Sequence, residues 1–193
     1  MPDQTCIEEI KALFEEAERQ IKTVETYFGK GVTIPALNEL RYCGNHLLRA
    51  LTCIGDDQRE EYARAKRHAQ RAIYDAAEAS ALSASKKFNE FKSRFKDVMI
   101  GEVVSDYDQI TKRFLQLAKL LRTPKQGDEK NRYYRELADI AARLIDDLDR
   151  LDACEEELKK LQLRQGRAQA ATRTGLGLQK ISLLAKFLAW FRP

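Results

Sequence analysis

The chain has 193 residues, 44% hydrophobic and 33% charged, with only nine glycines and four prolines. That balance supports one well-buried core and excludes collagen-like, low-complexity and wholly disordered chains; it also lacks the Gly and Pro punctuation of a many-stranded sheet. The net charge of +4 conceals an asymmetry: eight of the 34 basic residues and none of the 30 acidic ones fall in residues 159–193, leaving 26 basic against 30 acidic in residues 1–158.

Helical periodicity runs through the chain. Ile7, Ile10, Phe14, Ala17, Ile21, Val24 and Phe28 recur every three or four residues and define one face of a first helix. Thr5 with Glu8 predicts a capping box at its start, and Gly29, Gly31 and Pro35 predict its end. A second helix is expected over about 35–53, with Leu37, Leu40, Gly44, Leu47, Leu48 and Leu51 inward and Gly55 and Asp56 closing it. The third, 58–97, contains neither Pro nor Gly; unbroken it would reach about 60 Å, so a bend is expected near Ser80–Ser85. Its stripe of Tyr62, Ala65, Ala69, Ala72, Ala76, Ala79 and Ser83 is mostly small, which lets a neighbouring helix approach closely.

A fourth helix is expected over about 105–121 after Gly101, and a fifth over about 128–165. In the fifth, Leu137, Ala141, Leu144, Leu148, Leu151 and Leu158 keep a 3.5-residue spacing, a coiled-coil-like seam fit for packing within one chain or between chains. No internal repeat or strand pattern interrupts this series. The expected fold is all-α: long antiparallel helices in a bundle body over 1–158, then a basic tail over 159–193 carrying a C-terminal amphipathic helix.

Arg41 and His46 lie in ELRYCGNHLLRAL (39–51). Five residues advance them about 140° beyond a full turn, so they converge only at a helix end or across a dimer. This stretch, with EEYARAKRHAQRAIYDA (60–76), resembles the HEPN superfamily of helical domains, whose ribonucleases carry an R-x4-6-H motif; the resemblance covers residues 5–97. It implies that Arg41 and His46 act on an RNA phosphate and ribose 2′-hydroxyl without metal, in a site shared across a dimer, in prokaryotic defence. The motif departs from the family pattern by lying early in the domain and by the Tyr42 that follows the arginine. Read from the residues alone, His46 is a half-buried hydrogen-bonding side chain and Arg41 a partner of Glu39 or Asp75.

Arg64, His68, Arg71 and Asp75 form a polar row at helical spacing, with Arg67 beside it, suited to a phosphate or to acids on a neighbouring helix. KKFNEFKSRFK (86–96) sets Lys86, Lys87 and Lys92 among Phe88, Phe91 and Phe95. That is either a nucleic-acid platform or a core stripe with wet lysines. The two histidines lack zinc spacing, and no phosphate-loop, dinucleotide or nucleophile-elbow motif occurs, so neither metal nor cofactor is expected. Cys6, Cys43, Cys53 and Cys154 form no C-x-x-C pair; with no secretory signal they read as reduced thiols of a cytoplasmic protein.

The last segment gathers Leu183, Leu184, Phe187, Leu188, Trp190 and Phe191 on one side of a helix, after the pliable TGLGL stretch (174–178) and an acid-free basic region. It suits an anionic membrane surface at the inner face of the membrane, or docking on the body or a sister subunit. Together these features point to an oligomeric helical interaction or effector protein assembled through its fifth helix. It would sense a nucleic-acid or nucleotide signal through Arg64, Arg67, His68, Arg71, Lys86, Lys87 and Lys92 and act through its tail. The alternatives are the Arg41–His46 ribonuclease and a structural coiled-coil scaffold.

Overall fold

Among the described residues the hydrophobic period is realised in α1 (Gln4–Phe28), α2 (Ile34–Ala50), α3 (Gly55–Arg94), α4 (Tyr107–Leu121) and α5 (Lys130–Ala153), with a further helical run over 155–167. A 3-10 turn, Ile100–Glu102, separates α3 from α4. The computed structural model describes residues 4–123 and 129–167, and among them the protein is all-α, with no strand.

The link between α1 and α2 turns on Gly29 and Gly31, whose φ angles of 91° and 102° favour glycine. Buried Thr33 donates its hydroxyl to Glu25 of α1 at 2.6 Å, which fixes the corner. Pro35 then sits in the first turn of α2, where a missing N–H costs least. Thr5 is already inside α1 rather than capping it.

α3 is the spine. Asp56 and Asp57 in its first turn and Lys92 and Arg94 in its last complement the helix dipole. Its 40 residues run as one helix, so the bend expected near Ser80–Ser85 does not end it. α2 lies antiparallel along its N-terminal half, where Ala65, Ala69, Ala72 and Ala76 are fully buried. Contact with these alanines is close and narrow: Ala36, Leu40, Cys43 and Ala50 fill it. Leu37, Leu48 and Leu51, expected inward, are rotated out to solvent instead.

The C-terminal half of α3 carries the larger side chains. Phe88, Phe91 and Phe95 pack with Ile110, Phe114 and Leu117 of α4 and with Leu137, Leu144, Leu148 and Leu151 of α5. α5 runs parallel to α3, as ion pairs Lys87–Asp152 and Arg94–Glu155 require alongside the Tyr74–Tyr134 contact. α4 runs antiparallel to α5, joined by Arg113–Asp147 and Arg150–Asp106. The 3.5-residue seam of α5 is thus buried within the chain, which corrects the expectation that it assembles oligomers. The fifth helix is also not continuous: a turn at Cys154 precedes a further helical run over 155–167. Leu158 is buried there, and Gln162 donates to the Arg94 carbonyl, so body contacts continue past residue 158.

Candidate functional site

Arg67, Gln70, Arg71 and Tyr74 fall at i, i+3, i+4 and i+7 on α3 and share one face. The first turns of α5 bring Lys130, Asn131 and Tyr134 opposite them, enclosing an open groove of about 760 Å³. At its floor Tyr74 and Tyr134 stack with ring centroids 4.0 Å apart and planes 9° from parallel. The Tyr74 hydroxyl donates to Oδ1 of Asn131. Burial, more than any charge, raises the Tyr74 phenol above its ordinary pKa, so it stays a neutral donor.

The electrostatics of the groove are unbalanced. Lys66 at its rim is held by Glu9 at 2.6 Å. Arg67, Arg71 and Lys130 form no ion pair among the described residues. Asp75 also lines the groove, so the three cations face a single carboxylate; a positive surplus around an aromatic stack is chemically suited to a phosphate joined to a planar base. The Gln70 and Asn131 amides also line the groove, both beside the Tyr74 hydroxyl.

A second polar cluster fills the α2–α3 seam. His46 Nδ1 donates to Glu61 and His68 Nδ1 donates to Glu39, each at 2.6 Å, so each helix supplies one imidazole and one carboxylate. The two imidazoles stack 5.1 Å apart, 11° from parallel. The His46 hydrogen bond is the main cause holding Glu61 below its ordinary carboxylate pKa; the Arg64 charge adds to it. Arg64 is occupied by Glu60 and Glu61, which raise its own pKa. This seam therefore consumes Arg64 and His68, two of the residues expected to contact a phosphate.

Arg41 is exposed and lies over the Tyr42 ring at 5.1 Å, not against Glu39 or Asp75. Tyr42 in turn leans on His68 at 5.5 Å. Arg41 thus contacts Tyr42, while His46 is held by Glu61 and stacks on His68; no described contact joins Arg41 to His46. The described seam gives the ribonuclease alternative no direct Arg–His pair.

Lys86, Lys87 and Lys92 lie on a different part of α3, about 22–32 Å along the helix from Arg71 at 1.5 Å per residue. Their neighbours Phe88, Phe91 and Phe95 are core residues and cannot stack on bases. Lys87 is bound to Asp152 and sits 4.6 Å from the Tyr27 ring centre, and Lys92 lies over Phe88. The expected aromatic–basic platform is therefore a core stripe with lysines outside it.

Of the expected phosphate contacts, only Arg67 and Arg71 line the groove. Gln70, Tyr74, Lys130, Asn131 and Tyr134 are absent from the sequence reading. The i, i+4, i+7 spacing of Arg67, Arg71 and Tyr74 was visible; the register of α3 against the start of α5 was not. Leu183, Leu184, Phe187, Leu188, Trp190 and Phe191 lie outside the described residues. No described helix is long and apolar enough to cross a membrane. Among the described residues no three or more His, Cys, Asp or Glu side chains gather as metal ligands. The four cysteines are free, and burial pushes the Cys43 thiol up to about 11.

No family model matches the chain, and neither the curated proteins nor the solved structures contain a match to it.

Proposed function

We propose that the protein is a helical binding module whose α3–α5 groove takes a nucleic-acid or nucleotide ligand, and whose C-terminal segment attaches it to an anionic membrane surface. The observation that carries the first part is the positive surplus around the Tyr74–Tyr134 stack: Arg67, Arg71 and Lys130, which form no ion pair among the described residues, line the groove with one carboxylate, Asp75. The phosphate would sit between the guanidinium groups, held by charge-assisted hydrogen bonds. The base would rest on the outer face of the tyrosine pair. Recognition of this kind tolerates sequence and falls with salt.

Fluorescence anisotropy with labelled single-stranded RNA, single-stranded DNA and a labelled ATP tests this reading across a salt series. Arg67→Ala and Arg71→Ala are each expected to weaken oligonucleotide binding and to reduce the salt slope by about one. Tyr134→Ala is expected to cost about tenfold or more through lost stacking. Binding that none of these substitutions changes, or no binding of any probe at low salt, defeats the groove reading.

The acid-free, aromatic C-terminal sequence supports the second part. The intact chain is expected to float with vesicles rich in anionic lipid, and a chain ending at Gly175 is expected to remain below them. If the intact chain also remains below them, the segment is not a membrane anchor and its apolar residues dock on protein.

A further inference from the structure

α2 turns one narrow face into the core and leaves apolar side chains uncovered on a second, where exposed Arg41 stands between Leu37 and Leu48. Ile34, Leu37, Leu48 and Leu51, with Ile54 just beyond the helix, are 45–87% exposed. Other exposed large side chains, such as Leu82, Leu115 and Leu163, stand singly on separate elements, as on most protein surfaces. The α2 group is different because Ile34, Leu37, Leu48 and the C-cap Leu51 lie along one side of one helix, with Ile54 in the extended link that follows.

The stripe is symmetric in sequence about Gly44. Leu37 and Leu51 stand seven residues either side of it, and Ile34 and Ile54 ten; Leu40, four residues before it and opposite Leu48 in this count, is buried and takes no part. A row that reads the same in both directions matches an antiparallel copy of itself, which is the requirement of an isologous two-fold contact. Leu37 then meets Leu51 of the second copy around an axis through Gly44. At that axis a glycine weakens the helix interior, and nothing inside the chain calls for it: a Cβ there would meet no atom within 4 Å. A close approach of two α2 backbones accounts for it.

Charge and area agree with the same occupant. Exposed Lys30 precedes α2 and exposed Asp57 follows it, beside Asp56, which Arg59 already holds at 3.3 Å; the two-fold directs each lysine toward Asp57 of the other copy. The five residues expose on the order of 600 Å² per copy, so pairing that covered them completely would bury at most roughly 1,200 Å² in total, against the ~1,000 Å² expected of a specific interface. We propose that the protein forms a two-fold dimer in which α2 packs antiparallel on α2 of a second copy across Gly44. This does not rest on the ligand reading, because no α2 residue lines the groove.

Sedimentation velocity of the full chain over a concentration series tests it. The wild-type chain is expected to dimerise at micromolar concentration. Gly44→Glu places like charges on the axis and Leu48→Glu charges the stripe; each is expected to raise the dimer dissociation constant at least about 30-fold. Both positions are open in the single chain, so helical circular dichroism should be retained. Gly44→Cys, oxidised with diamide, is expected to give a covalent dimer because a residue on the axis meets its own copy. Leu115→Cys on α4 serves as the off-stripe control. A wild-type chain that stays monomeric, or a dimer that neither glutamate weakens, overturns the proposal. So does a dimer that Gly44→Cys cannot cross-link, or one lost only on removing residues 168–193.

Discussion

Arg113→Ala lowers the unfolding free energy by about 2–4 kcal/mol, and Asp147→Ala lowers it by less, about 1–2 kcal/mol. The asymmetry follows from where the two charges sit. Arg113 reaches Asp147 through two hydrogen bonds, Nε to Oδ2 at 2.6 Å and a terminal nitrogen to Oδ1 at 2.5 Å. The Asp147 side chain is 5% exposed, whereas the Arg113 side chain keeps 30%. Removing the arginine strands a carboxylate that water barely reaches. Removing the aspartate leaves a guanidinium that can turn to solvent.

Arg113→Lys should fall between wild type and Ala, because it keeps the charge and loses the two-pronged geometry. Urea unfolding followed by circular dichroism, read at constant m-value, measures all three. Equal losses for Arg113→Ala and Asp147→Ala would remove the burial argument. The neighbouring Arg150–Asp106 pair is more exposed, and breaking it should matter far less. Both pairs fix α4 against α5, and so hold the start of α5 where it closes the groove.

Helix existence was legible in the sequence because apolar residues at a period near 3.6 survive any change of partner. The alanine row of α3 was equally legible as a site of close approach, and α2 occupies it. The facing of α2 was not legible. Its leucines outnumber its buried small residues, so a reading by hydrophobicity turns Leu37, Leu48 and Leu51 inward; contact with an alanine row instead selects Ala36, Cys43 and Ala50. The α5 seam could be read as internal or external, and only the location of Phe88, Phe114 and Leu117 decides it. The groove depends on one long-range register, Tyr74 against Tyr134, sixty residues apart in the chain. No local pattern encodes that distance.

Phe88→Ala should destabilise the whole body by about 3–5 kcal/mol. Phe88 is 4% exposed and stacks on Phe114 with centroids 3.7 Å apart, so its loss opens a cavity where α3 meets α4. The effect should not stop at that half of the molecule. The clusters between α1, α2 and the start of α3 rest on Ile10, Ile21, Leu40 and Tyr62 among many alanines. A buried alanine removes little apolar area from water, so these clusters supply less stabilisation than the phenylalanine- and leucine-rich half. α3 passes through both as one helix and transmits the loss. Hydrogen exchange by mass spectrometry should therefore show α1 and α2 losing protection together with α4 and α5. Retained protection in α1 and α2 would mean that the alanine-lined half folds on its own. In the cooperative case a ligand resting on the outer face of the Tyr74–Tyr134 pair and held by Arg67, Arg71 and Lys130 would bridge α3 to α5 and restore protection throughout, by binding the folded state alone.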